Sequence, residues 1–418
     1  MDRQHSDVLI LGGGVIGLAC ALYLRRAGAG VRILEQGTPA GGASHGNCGT
    51  LTPSHAPPLS APGTIGRALG WMLKRDAPLY VNPRPDFERL RWLLGFARRC
   101  NSRDFVAAAA ARAAILQRSR VLIEALVREE SLDCGFAPSG TLIVFRDRRV
   151  FERERWHADA LRRLQIPVEV LAGASAEALE PALAPGVAGA FLHPGDACLR
   201  PDRYGAELAR RVTERGGVIE QGARIEGFRL DGDRIAGVTT SGGEFSGDRV
   251  VLALGAWSPL TARALDLRLP MQPGKGYSIT WPEQTAAPRI PLVLKERSVC
   301  VTAWGDGFRL GSTMEFSGYA EGLNRVRLDA LTRGARAYLR SVPQVPSQEE
   351  WWGWRPMCVD ELPLIGPSTR WSNLMLATGH GMLGVSMSAA TGELMAALCR
   401  GTAPAFDPDP YAPARFGL

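Results

Sequence analysis

No C-x-x-C pair occurs among the eight cysteines, so neither a zinc site nor a disulfide framework is signalled. Isolated cysteines of this kind are expected to be small buried hydrophobes in a reducing cytosol. Internal repeats and low-complexity tracts are missing as well. The basic residues, mostly arginine, outnumber the acids 49 to 42 but form no block. That spread excludes a nucleic-acid footprint, while it suits attraction of anionic substrates or contact with an anionic membrane surface. The one strongly apolar stretch, 8–24, is preceded by Asp7 and broken by glycines. A membrane span needs about 20 apolar residues, and a signal peptide needs a basic start and a cleavage site. Strand, turn and helix are expected there instead.

What is present starts at that stretch. Val8 to Leu11 is an apolar strand, and Gly12-Gly13-Gly14-Val15-Ile16-Gly17 satisfies G-x-G-x-x-G. Gly12 permits the tight turn, Gly14 lets a pyrophosphate approach the backbone, and Gly17 lets the next helix pack against the strand. That helix, through about Ala27, aims its free N–H groups and positive dipole end at the phosphates from Val15 and Ile16. Val31 to Leu34 is the next strand, and Glu35 stands about 20 residues past the turn, where an acid takes the ribose hydroxyls. Gln36 and Gly37 follow with no arginine, so a ribose 2′-phosphate is not expected. These positions predict a bound dinucleotide.

Residues 38–49 form a glycine- and serine-rich loop, and 52–63 a proline-rich extended segment with His55. A helical stretch over 64–100 carries an apolar stripe at Phe87, Leu90, Leu93-Leu94 and Phe96-Ala97, edged by arginines. A helix packed on its own domain is the expectation, with a membrane-surface helix as the alternative. Further helices are expected over 107–130, 150–164, 201–215 and 324–339. Strand and turn signals crowd residues 218–254, with Asp231-Gly232 and Gly242-Gly243 as hairpin turns. The chain is then β-rich up to Trp351-Trp352-Gly353-Trp354. Residues 379–386 read as a loop entering a last helix, 388–398. At 418 residues there is length for two domains with real cores.

Together these residues resemble the D-amino acid oxidase family of flavoproteins over essentially the whole chain, with the nearest likeness to bacterial D-amino acid dehydrogenases. The likeness rests on the glycine turn with Glu35, on Ser44 with Gly46 to Gly49, and on Thr52-Pro53 through Gly63. Lys275 to Ser278, Gly353-Trp354-Arg355-Pro356 with Asp360 to Pro363, and Ala377 to Gly381 complete it. The resemblance implies an α/β fold, a Rossmann-like FAD-binding domain with an inserted α+β substrate domain. The FAD-binding pieces would be 1–63, 186–266 and 353–418, and the substrate pieces 64–185 and 267–352.

It further implies non-covalent FAD, since Gly353 stands where sarcosine oxidases place a flavin-linking cysteine. Ser44, Asn47, Gly49, Thr50 and Leu51 would lie along the flavin, with Arg224, Ile225 and Gly255 elsewhere on the cofactor. Gly381, Met382, Leu383, Gly384, Val385 and Ser386 would bring a helix amino terminus to flavin N1 and O2. Arg355 would hold a substrate carboxylate through two parallel hydrogen bonds, Tyr277 would add a second contact, and His380 and His55 would line the pocket. The tyrosine that helps bind carboxylate in related oxidases aligns near Cys300-Val301, where this chain has none.

The implied reaction is oxidation of a D-amino acid, such as D-proline or cis-4-hydroxy-D-proline, to the imino acid, by hydride transfer to flavin N5. Electrons would pass to a quinone or another carrier. The alternatives are a glycine- or sarcosine-type oxidase using O2 and the catalytic subunit of a multi-subunit amine dehydrogenase. No metal is expected. A homo-oligomer and peripheral contact with the inner face of a bacterial inner membrane are compatible with the likeness.

Overall fold

The structure, a computed structural model, describes residues 4–66, 70, 79–282 and 286–418. The expected helical stretch 64–100 therefore falls partly outside the described residues, at 67–69 and 71–78. Along the chain the elements used below are β1 (His5–Leu11), α1 (Val15–Arg26), β2 (Val31–Glu35), α2 (Phe87–Arg99), α3 (Ser102–Glu129), β3 (Thr141–Phe145) and β4 (Gly189–His193). Next come β5 (Val218–Gln221), β6 (Ile225–Asp231), β7 (Arg234–Thr240), β8 (Gly243–Leu252), β9 (Met271–Trp281) and β10 (Leu292–Leu294). Last are β11 (Val299–Trp304), β12 (Gly307–Phe316), β13 (Glu349–Cys358), β14 (Leu374–Thr378) and α4 (Gly384–Arg400).

Five parallel strands, in the order β14-β8-β1-β2-β5, form the dinucleotide layer. Their apolar residues point both ways because helices cover one face and the β6-β7-β8 meander leans on the other. In the helix layer α4 packs against both α1 and α3. Gly392 of α4 makes that contact close, since a side chain there would sit 2.7 Å from the Ala19 carbonyl oxygen. The second sheet runs β13-β9-β12-β11-β10-β3-β4 and carries its own core around Ile279, Leu310 and Leu331.

Several elements differ from the sequence reading for stated reasons. The helix expected over 150–164 is two helices meeting at Glu154, a buried acid whose Oε2 lies 3.0 Å from Lys295 Nζ. The last helix starts at Gly384, four residues earlier than its composition suggests. Packing on α1 and α3 overrides the weak propensity of the Gly and Ser residues there. On α2 the buried residues are Arg89 and Trp92, whereas Phe87 is 91% exposed and Leu90 and Leu94 are about half exposed. The stripe read from the sequence is thus split: Phe87, Leu90 and Leu94 face outward, while Leu93, Phe96 and Ala97 turn in towards Trp92 and the cleft. Strand β13 runs through the division expected at 352/353, and β4 belongs to the second sheet.

Candidate functional site

One cleft of about 1530 Å³ runs between the two sheets, from the glycine turn to the strands β11, β12 and β13. At its dinucleotide end Gly12 has φ +105°, and a side chain on Gly17 would sit 1.9 Å from the Gly12 carbonyl oxygen. The turn can close only with glycine at both places. α1 has no acid in its first turn and no side-chain cap from Gly14, and the Val15 N–H donates to Ser44 Oγ at 3.1 Å. Glu35 reaches back over the turn: Oε2 accepts from Gly13 N–H and Oε1 from Gly37 N–H, both at 2.8 Å. Each carboxylate oxygen has a further lone pair for a hydroxyl in the cleft.

At the far end Arg355 projects from β13 beside Gly276 of β9, where any side chain would lie 2.2 Å from the guanidinium carbon. Its Nη1 donates to the Thr313 carbonyl at 2.6 Å and Nη2 to the Ser312 carbonyl at 3.4 Å. Those carbonyls are turned by an irregularity in the β9–β12 register, with Ser312 at φ 134° and Thr313 at φ 60°. Left-handed backbone at two adjacent non-glycine residues costs about 1–3 kcal/mol each, and the arginine holds the result in place. A guanidinium has five N–H groups, so three stay free for a ligand.

The structure brings most of the expected residues to this cleft: Gly12, Gly14, Val15, Ile16, Glu35, Gln36, Ser44, Asn47 and Thr50, with Arg224, Ile225 and Gly255. Gly381 to Val385, His55, His380 and Arg355 line it too. Four others do not line it and support it instead. Gly17 packs under the turn, and Gly49, at φ +73°, is pressed against the Leu199 carbonyl. Leu51 is buried in the core. Ser386 Oγ donates to the Thr50 carbonyl at 2.9 Å and accepts from Thr52 N–H at 3.3 Å, which ties the loop to α4.

Tyr277 is a correction. It sits on the face of β9 opposite Gly276, since successive strand residues alternate. Its hydroxyl donates to Glu315 Oε2 at 3.0 Å inside the second core.

Sequence reasoning missed Arg112 and Glu361. They form a buried pair at 3.0 Å, Arg112 Nη2 donates to the His55 carbonyl at 2.8 Å, and Glu361 accepts from the N–H groups of Leu59 and Ser60. This pair fixes the proline-rich wall of the cleft. Glu361 stood in the Asp360 to Pro363 motif with no role attached, and Arg112 was marked only by its place inside the alanine run 107–114. Arg309 was missed also; its Nη1 donates to the carbonyls of His45 and Asn47, pinning the loop.

Four histidines are held neutral. Burial pushes His380 down to about 3 and His193 to about 3, and burial with Arg112 and Lys295 pushes His55 down to about 4. His157 lies well below the usual range through burial, with Lys295 next. Thr391 Oγ1 donates to the Met387 carbonyl, so its contact with His380 Nε2 at 2.9 Å requires the ring to donate from Nε2. Nδ1 is then a bare acceptor. Because these folded values lie below 6.5, the native state binds fewer protons than the unfolded chain as pH falls below that value, and stability present above it is lost on acidification. Asp196, raised to about 6 chiefly by burial, acts with the opposite sign but is one group against four. Urea midpoints should fall between pH 7 and pH 5; an unchanged or higher midpoint at pH 5 would contradict this protonation state.

The family model for FAD-dependent oxidoreductases of the DAO type matches residues 7–398. The chain belongs to the DAO family of FAD-dependent oxidoreductases. Its curated relatives include the D-amino acid dehydrogenase of Agrobacterium fabrum, 33% identical over 98% of this chain and 99% of the relative. That of Rhizorhabdus wittichii is 34% identical over 96% and 97%. Among solved structures, glycine oxidase from Geobacillus kaustophilus superposes with TM-score 0.80 at 24% identity, covering 98% of each chain. L-proline dehydrogenase from P. horikoshii gives 0.76 at 18% identity, over 99% of this chain and 98% of that one. At those identities the structural likeness establishes the fold.

FAD is therefore the cofactor of this DAO-family protein, and the residues present fit it. The uncapped α1 amides suit a pyrophosphate and Glu35 suits a ribose. Replacing Glu35 by Ala removes a charged acceptor worth about 1.5–3 kcal/mol, so FAD affinity should weaken roughly tenfold to a hundredfold. Fluorescence titration of the apoprotein reads this directly, and an unaltered affinity would contradict the assignment.

Proposed function

We propose that the chain is an FAD-dependent D-amino acid dehydrogenase that oxidises a D-amino acid to its imino acid. The observation that carries this reading is Arg355, with three unused N–H groups, in the same cleft as the dinucleotide turn. The full-length likeness to proteins named D-amino acid dehydrogenase supports it. Bound FAD supplies the two-electron acceptor. Arg355 grips the α-carboxylate through two parallel hydrogen bonds and so fixes which face of the α-carbon is presented. The amino terminus of the 17-residue α4, which opens at Gly384 on the cleft, would bring a positive dipole end to negative charge built up on reduction. His380 Nδ1 offers an acceptor to an N–H or O–H in the cleft.

The FAD is held without a covalent bond, by a domain assembled from 1–63, 186–266 and 353–418 around substrate pieces 64–185 and 267–352, with β4 and the end of β13 lent to the second sheet. D-Proline and cis-4-hydroxy-D-proline are the proposed preferred substrates. A quinone is the proposed acceptor, suited by the apolar limb of the cleft at Leu79, Trp92 and Phe316. The outward face of α2, with Phe87, Leu90 and Leu94 beside the exposed Arg91 and Arg98, gives a contact for an anionic membrane surface. Among the described residues no helix is long and apolar enough to cross a membrane. The double substitution Phe87→Glu with Leu94→Glu should abolish co-sedimentation with anionic vesicles; retained binding would remove this surface from consideration.

The deciding experiment mixes anaerobic yellow protein with single amino acids of both hands and follows flavin bleaching. Bleaching by D-forms alone supports the reading, and no bleaching by any D-form overturns it. Rapid peroxide formation on admitting air would mark an oxidase instead.

A further inference from the structure

Cys48 and Cys300 lie far apart in the sequence and both line the cleft beside Arg355. Their contact follows from the sheet. Cys300 on β11 pairs directly with Gly311 on β12, and directly opposed residues of an antiparallel pair project to the same face with Cβ atoms about 4.5–5.5 Å apart. Gly311 has no side chain, and Cys48 Sγ fills that place, 2.5 Å from where its Cβ would be. One sulfur thus sits next to the other, and Cys300 Sγ also lies 4.0 Å from Thr302 Oγ1. The loop that carries Cys48 is anchored by Arg309 through the carbonyls of His45 and Asn47. Among the described residues no other ring contact, ion pair or metal cluster makes structural use of the pair.

The surroundings make one thiol the better nucleophile. The neighbouring Cys300 thiol lowers the Cys48 thiol below its ordinary value, helped by Arg309 and Arg355. Cys300, beside that sulfur in a buried place, is pushed well up. A thiolate beside a protonated partner thiol is the arrangement that oxidises stepwise to a disulfide.

We propose that Cys48 and Cys300 are a vicinal dithiol modification site, which hydrogen peroxide converts reversibly to a disulfide that closes the carboxylate end of the cleft at Arg355. The Cys48 sulfur gives up its proton and attacks one peroxide oxygen, the O–O bond breaks, and the leaving hydroxide takes that proton to become water as Cys48 becomes a sulfenic acid. The Cys300 sulfur then displaces that hydroxyl as a second water, losing its own proton as the S–S bond forms. One peroxide is reduced, two thiols are oxidised, and two waters result. The bond, about 2.05 Å long, draws the 45–49 loop onto β11 beside Arg355. The closing effect rests on the amino-acid reading above; the dithiol does not.

The test uses the FAD-loaded full chain. After mild peroxide treatment and alkylation, non-reducing peptide mapping should find the Cys48 and Cys300 peptides joined, with a mass loss of about 2 Da. Bleaching by a D-amino acid should slow at least about tenfold and return with dithiothreitol. In Cys48→Ser and Cys300→Ser the ratio of treated to untreated rates should stay near one. Absence of the joined peptides overturns the site, and joined peptides with an unslowed rate overturn the closure. Joined peptides in a protein that no D-amino acid bleaches would keep the dithiol and overturn the amino-acid reading instead.

Discussion

Replacing Arg355 by Met should leave the protein yellow and folded while flavin bleaching by its best D-amino acid slows about a hundredfold to a thousandfold. The guanidinium does not hold the dinucleotide end of the cleft; its protein contacts are the carbonyls of Ser312 and Thr313. Losing one partner of a desolvated, doubly hydrogen-bonded charge pair costs about 2–5 kcal/mol, which is the scale of that rate loss. Arg355→Lys keeps the charge and loses the fork, so it should recover only part of the loss. Stopped-flow reduction with D- and L-forms provides the check, with bound flavin quantified in each variant. Wild-type reduction by Arg355→Met would remove the carboxylate role.

The second large effect lies in the wall of the cleft. Arg112→Met leaves the Glu361 carboxylate buried with only the Leu59 and Ser60 amides for company. Both side chains of the pair are nearly inaccessible, at 5% and 2% exposure. Breaking a buried pair from one side costs about 3–5 kcal/mol, so the urea midpoint should drop steeply. The segment carrying His55 and Leu59 should loosen with it and raise the substrate concentration needed for half-maximal reduction. Glu361→Leu on its own should be similarly costly, because it strands the guanidinium. The double variant should be more stable than either single one, since neither then buries a lone charge. A double variant whose loss equals the sum of the two singles would show that the pair is not coupled.

The sequence by itself determined the parts whose chemistry is local. The turn Gly12 to Gly17 needs glycine because the chain reverses within a few residues, and Glu35 follows at a distance set by one helix and two strands. Arg355 and the 379–386 loop were legible as motifs carried by a family likeness. Tertiary structure decided whatever depends on which face of a strand or helix meets which neighbour. Tyr277 was misplaced by one step of strand parity: Gly276 faces the Arg355 guanidinium and Tyr277 faces the second core. The apolar stripe of α2 gave a period and no direction, and Trp92, whose indole donates to the Met357 carbonyl at 3.0 Å, chose the buried side. Arg112 with Glu361, and Cys48 with Cys300, are joined across the whole fold by sheet register and helix packing. Cys48 and Glu361 stood within motifs of the family likeness, but nothing in their short-range neighbours names Cys300 or Arg112 as the partner, because those contacts are made only when distant segments pack.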